Sequence, residues 1–151
     1  LKGKALGIGY LNEQGAIDRY PDQGLPTGDL GYMDSDGYVF LTGRKKEIII
    51  RGGVNISPME ITGRLMEHPC VKEAATIGIP DKIYGEEIAS FIVPKPGCKI
   101  ESQNIINHCK ATLPDFKIPK EIHFLEDIPK TERGKVTKQD LLNIINIKRS
   151  N

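Results

Sequence analysis

Two adjacent glycines, Gly52-Gly53, set inside residues 43–60, constrain this chain more than any other feature. A glycine pair permits positive φ or the close approach of another chain or a ligand, which any side chain blocks. Ahead of it, Arg44, Lys45, Lys46, Glu47 and Arg51 bracket the β-branched run 48–50. That run is too short for a membrane helix and suits a buried strand. Behind the glycines, Ser57-Pro58-Met59-Glu60 reads as a helix start. Ser57 is the N-cap, Pro58 the first helical residue, and Glu60 reaches back in a capping box. A Ser cap contributes about 1 kcal/mol, which makes the boundary firm. Composition differs on the two sides, so the stretch reads as a junction between two structural units.

Residues 1–42 read as all-β. Glycine at 3, 7, 9, 15, 24, 28, 31 and 37 is too frequent for helices. Leu30-Gly31-Tyr32-Met33 and Tyr38-Val39-Phe40-Leu41 flank Asp34-Ser35-Asp36-Gly37, a hairpin turn by composition. The acidic turn is not a calcium loop, because Val39 and Leu41 stand where oxygen donors are needed. Such a glycine-rich unit buries little surface alone, and it belongs with a larger body. The start at Leu1 rather than Met reads the same way.

Beyond the junction the pattern changes. Residues 57–67 predict a helix with Ile61 and Leu65 on one face, ended before Pro69. Residues 71–79 and 87–93 are strand-like, separated by Pro80-Asp81 and Gly85, and Lys95-Pro96-Gly97 makes a turn. Ile105, Ile106, Cys109 and Leu113 recur at helical spacing, with Pro114 closing that helix. Ile122 and Phe124 alternate in a short strand. Thr137 caps a last helix carrying Leu141, Leu142 and Ile145. The fold class is therefore α+β: three helices on a small mixed sheet, preceded by a β-rich piece.

The totals exclude several functions. A net charge of +1 gives no basic field for nucleic acid, and no apolar run approaches the 18 residues of a transmembrane segment. Cys70, Cys98 and Cys109 show no C-x-x-C spacing. They read as reduced thiols of a cytoplasmic protein, Cys109 buried on a helix and the others incidental. No metal site is assigned to them or to His68, His108 and His123.

Three clusters could carry chemistry. In Thr27-Gly28-Asp29, a carboxylate beside a glycine suits a vicinal diol such as ribose. At the junction, Arg44 can reach phosphate or ribose oxygens. Pro129-Lys130-Thr131-Glu132-Arg133-Gly134-Lys135 presents Lys135 just before a helix, but it is not a Walker loop, since Val136 replaces Ser or Thr. Taken singly, each has a bland reading: an ordinary turn, a solvated charge run, a surface loop.

Their order and spacing have no such bland reading. Thr27-Gly28-Asp29-Leu30-Gly31, Gly43-Arg44-x-Lys46, Ile50-Arg51-Gly52-Gly53, Leu113-Pro114-x-Phe116-Lys117-x-Pro119 and Pro129-Lys130-Thr131 with Gly134-Lys135 resemble the carboxyl-terminal part of acyl-adenylate-forming enzymes. Pro69-x-Val71-x-Glu73-Ala74-Ala75, Gly78-x-Pro80-Asp81 and Gly85-Glu86 are similar to the same pattern, which covers nearly the whole chain. That family includes acyl- and aryl-CoA synthetases, luciferases and the adenylation domains of peptide synthetases. The resemblance implies a division into residues 1–45, the last β-subdomain of a large AMP-binding domain, and 46–151, a mobile carboxyl-terminal domain.

It also implies roles. Asp29 would hold the ribose hydroxyls of ATP and of the acyl-adenylate, and Arg44 would assist at ribose or phosphate. Lys46 would be the hinge between an adenylating and a thioester-forming pose. Gly52 and Gly53 would line the passage for the pantetheine arm of coenzyme A. Lys135 would be catalytic, its ammonium placed near the carboxylate and α-phosphate. The substrates would be a carboxylic acid, ATP and CoA, and the partner the parent's own amino-terminal large domain. That domain would supply the phosphate loop, the acyl pocket and the Mg2+ ligands, so the fragment alone would be inactive.

Leu25-Pro26 stands where the family usually has an aromatic and a basic residue, Arg133 replaces the common Ser, and Lys138 the common Arg. The resulting expectation is an acyl-CoA synthetase with a role in fatty acid metabolism. Two alternatives are a carrier-loading adenylation domain of a peptide synthetase and a non-catalytic interaction module of the same fold. Lys46 at the hinge and Asn55 after the glycines are similar to the CoA ligases, whereas peptide-synthetase domains more often carry Asp at the hinge.

Overall fold

The computed structural model describes residues 9–11, 13–19 and 25–150. Gly3, Gly7 and Gly24 lie outside the described residues. Strands β1 (Gly9–Leu11) and β2 (Ile17–Arg19) pair antiparallel, as do β3 (Asp29–Met33) and β4 (Val39–Arg44). The β3–β4 turn forms as its composition predicts. Asp34 Oδ1 accepts the N–H groups of Asp36 and Tyr38 at 3.0 and 2.8 Å, and Gly37 takes φ +87°.

The main sheet runs β6-β5-β8-β7, from β5 (Ile49–Arg51), β6 (Val54–Ile56), β7 (Val71–Asp81) and β8 (Gly85–Pro94). Strand β9 (Glu121–Phe124) lies parallel to β8, with Ala89 opposite Glu121. Three helices cover the sheet: α1 (Pro58–Met66), α2 (Ser102–Lys110) and α3 (Lys138–Ser150). The strand period of two divides the core. Ile88 and Ile92 face α1 and α2, packing with Ile61, Leu65, Ile105 and Cys109. Ala89, Phe91 and Val93 face the other way, against Leu141 and Ile145 of α3 and Ile128. Between β7 and β8 the buried hydroxyls of Thr76 and Ser90 meet at 3.0 Å, so neither is stranded.

Three expectations need correction. Pro58 does open α1, but the capping box does not form. Ser57 Oγ donates instead to the Thr42 carbonyl, and Glu60 is drawn to Lys117 Nζ at 2.7 Å. Tertiary partners outcompete the local pair. A reciprocal capping box occurs at α2, between Glu101 and Asn104. Next, Pro80-Asp81 does not end β7; both residues pair on with Glu86 and Gly85. An edge strand tolerates proline because its missing N–H faces no partner strand. Finally, α2 stops at Lys110, and Leu113 lies beyond it, its N–H on the Cys109 carbonyl at 2.8 Å.

Candidate functional site

Asp29 and Arg44 are directly opposite in the β3–β4 register, and Arg44 Nε approaches Asp29 Oδ1 at 3.1 Å. Two residues that the sequence places far apart thus form one ion pair, both members open to solvent. Gly28 takes φ +78°, and a Cβ there would meet nothing within 4 Å among the described residues.

Lys46 sits at the third position of a turn closed by the Glu47 N–H on the Arg44 carbonyl at 3.0 Å. The Lys45 N–H donates back to the Gly28 carbonyl at 2.8 Å. The turn is therefore continuous with the Asp29–Arg44 pair on one side and with β5 on the other.

Gly52 (φ +56°) and Gly53 (φ +82°) form the two-residue connection of the β5–β6 hairpin. Positive φ at both central residues is the geometry that matches strand twist, and glycine is favoured there for that reason alone. A Cβ on Gly52 would also press on the Tyr84 ring at 3.3 Å, whereas Gly53 faces open space. The Gly52 N–H donates to the Tyr84 carbonyl at 2.8 Å, and the Arg51 guanidinium lies 4.4 Å over the Tyr84 ring. Arg51 also pairs with Glu87, a carboxylate only 2% exposed. Two hairpin tips, β5–β6 and β7–β8, are thereby clasped together.

Composition missed Glu87, although strand alternation reveals it: it shares the inward face with Ala89, Phe91 and Val93. Asp81 rigidifies the second hairpin tip, its Oδ1 accepting the N–H groups of Ile83 and Tyr84 at 2.9 Å each. Those two bonds, from Tyr84 first and then Ile83, hold its pKa down at about 2, with Lys120 adding a smaller pull.

Lys135 sits in a loop anchored on both sides. The Thr131 N–H donates to the Lys135 carbonyl and the Gly134 N–H to the Thr131 carbonyl, both at 2.8 Å, with Gly134 at φ +73°. Upstream, Lys130 reaches Glu73 at 2.6 Å, and that hydrogen bond raises the Lys130 pKa. Downstream, Lys138 reaches Glu86 Oε1 at 2.8 Å, while Glu86 Oε2 accepts the Ile50 N–H at 2.8 Å. Glu86 thus joins the junction strand to the start of α3. A cleft of about 310 Å³ between α1, β7 and α3 is bordered by Glu47 from the turn and by Val136 and Lys138.

Among the described residues no hydrogen bond or ion pair joins Lys135 to Asp29, Arg44 or the Gly52-Gly53 turn. Nor does any group of three or more His, Cys, Asp or Glu stand ready to hold a metal.

Residues 60–135 match the model of the AMP-binding enzyme C-terminal domain. The chain belongs to this family. It is 45% identical over 145 residues to a sulfoacetate–CoA ligase of Cupriavidus necator, covering 95% of this chain and 28% of the relative. An oxalate–CoA ligase of Arabidopsis thaliana is 43% identical over 140 residues, covering 92% and 27%. The fold matches o-succinylbenzoate CoA synthetase of Bacillus subtilis, solved with its acyl-adenylate intermediate. The TM-score is 0.79 and the identity 31%, covering 88% of this chain and 27% of that one. The chain therefore spans just over a quarter of the length of these relatives. No helix among the described residues is long and apolar enough to cross a membrane.

Proposed function

We propose that this AMP-binding enzyme C-terminal domain serves an ATP-dependent carboxylic acid–CoA ligase in the cytoplasm. The parent joins the acid to AMP with release of pyrophosphate, then transfers the acyl group to the CoA thiol with release of AMP. The observation that carries this reading is the 45% identity to a CoA ligase along 95% of this chain. Its residues supply specific parts of the work.

Asp29 holds the ribose hydroxyls. Arg44 on Oδ1 orients its carboxylate, and the absence of a side chain on Gly28 leaves space beside it. Arg44 adds a donor at ribose or phosphate. Gly53, facing open space at the hairpin tip, leaves room for the pantetheine arm. The Lys46 turn pivots residues 46–151 against 1–45 and the amino-terminal body of the parent. Exposed Tyr32, Met33, Val39 and Leu41 on the β3–β4 hairpin suit contact with that body. Among the described residues no group of three or more His, Cys, Asp or Glu is gathered for a metal, and the rest of the parent would bind Mg2+.

Lys135 places a positive charge against the carboxylate and α-phosphate during adenylation. Its loop is fastened on either side, by Lys130 on Glu73 and by Lys138 on Glu86. Lys135→Ala in the parent should lower adenylate formation by about 10²–10³-fold. Thioester formation from preformed adenylate should stay largely intact. The two half-reactions are assayed separately; adenylation at the wild-type rate overturns the assignment.

A further inference from the structure

The two cysteines that looked incidental in the sequence stand at one corner of the fold. Cys70 precedes β7 and Cys98 follows β8, and Lys95 ties them together. The Lys95 N–H donates to the Cys70 carbonyl at 2.8 Å, and the Cys98 N–H donates to the Lys95 carbonyl at 3.1 Å. Gly97 at φ +78° closes this turn and returns Cys98 toward the β7 end. Both residues are partly exposed, in contrast to fully buried Cys109.

We propose that Cys70 and Cys98 are a redox-modification site, a dithiol that low-molecular-weight disulfides convert to an intramolecular disulfide across the open end of the β7–β8 hairpin. In the first step the thiolate of one cysteine attacks the small disulfide. A protein–small-molecule mixed disulfide forms and one small thiol leaves with a proton. In the second step the other cysteine attacks its neighbour's sulfur, and the second small thiol leaves with the second proton. The two protein thiols are oxidised and the one small disulfide is reduced to two thiols, so the exchange balances.

A hydrogen bond with the Cys98 thiol, and then burial, raise the Cys70 pKa. The product closes a loop around the whole β7–β8 hairpin, which carries most of the sheet. This proposal does not rest on the ligase reading.

The test uses the chain itself, incubated natively with oxidised glutathione. The expected product is a monomer lighter by two hydrogens, with a Cys70–Cys98 linkage in the non-reducing peptide map and Cys109 unmodified. Its melting temperature should exceed that of the reduced chain by on the order of 10 °C and fall back with dithiothreitol. Cys70→Ser should stop at a glutathione adduct on Cys98. Cys98→Ser should likewise stop at a glutathione adduct, on Cys70, and neither variant should gain thermal stability. A wild-type chain that keeps a glutathione adduct, links into dimers, or stays unreacted overturns the proposal. So does a disulfide involving Cys109.

Discussion

Asp81 shows how one carboxylate shapes a functional surface it does not touch. Its Oδ1 fixes the Ile83 and Tyr84 N–H groups, and the Tyr84 carbonyl in turn fixes the N–H of Gly52. Bonds to the ionised form hold its pKa at about 2, below the ordinary 3.8. Because the folded pKa is depressed, the stability it contributes is fully present above about pH 4 and is lost as pH falls through about 2. Asp81→Ala should therefore be less stable than the parent chain near neutral pH, and the gap should narrow between about pH 4 and about pH 3. Urea midpoints measured across that range check this. A gap that stays constant from neutral pH down to about pH 3 would mean that Asp81 does not gain its stability as an ionised acceptor.

The junction turn is the element on which the two-pose reading depends. Lys46 occupies the third position of the turn closed between Arg44 and Glu47, where proline is disfavoured because it forces the preceding residue out of the helical region. Lys46→Pro in the parent should break this turn and slow the half-reaction that needs the present pose far more than the other. Equal loss in both, at unchanged stability, argues against a hinge.

Elements with strong local codes were legible from sequence alone. The Asp34 turn, the Gly52-Gly53 connection, the Pro58 helix start and the Thr137 cap of α3 all form, the last with Asp140 N–H on Thr137 Oγ1 at 3.2 Å. Part of what failed did so through distant competitors. Ser57 and Glu60 found Thr42 and Lys117, and Pro80 survived in an edge strand. In the candidate site the Asp29–Arg44 pair needed the hairpin register to appear. Glu86 and Glu87 needed the sheet, because their partners Ile50, Lys138 and Arg51 come from elements that only the fold brings near.

At the scale of the whole molecule the core is lopsided. Every fully buried apolar side chain among the described residues lies at Ile49 or later, in the two layers on either face of the β6-β5-β8-β7 sheet. The β3–β4 hairpin has its own backbone ladder and a stacked Tyr32–Phe40 pair at 5.2 Å, but its large apolar residues are exposed. It meets the rest where β4 approaches the start of α1, with the Ser57 hydroxyl on the Thr42 carbonyl. A two-stranded hairpin without a covered face is marginal in water, whereas the helix-covered sheet buries a normal domain core. Residues 46–151 should therefore fold as a unit without 1–45. Hydrogen exchange on the present chain should show slow amides confined to β7, β8, β9 and the three helices, with β3 and β4 exchanging as fast as local opening allows. Removing residues 1–45 should leave those slow amides protected to within about tenfold, a change of roughly 1.4 kcal/mol. Equal protection on both sides of residue 46, or collapse of the slow set on truncation, would show that the two units are one cooperative body.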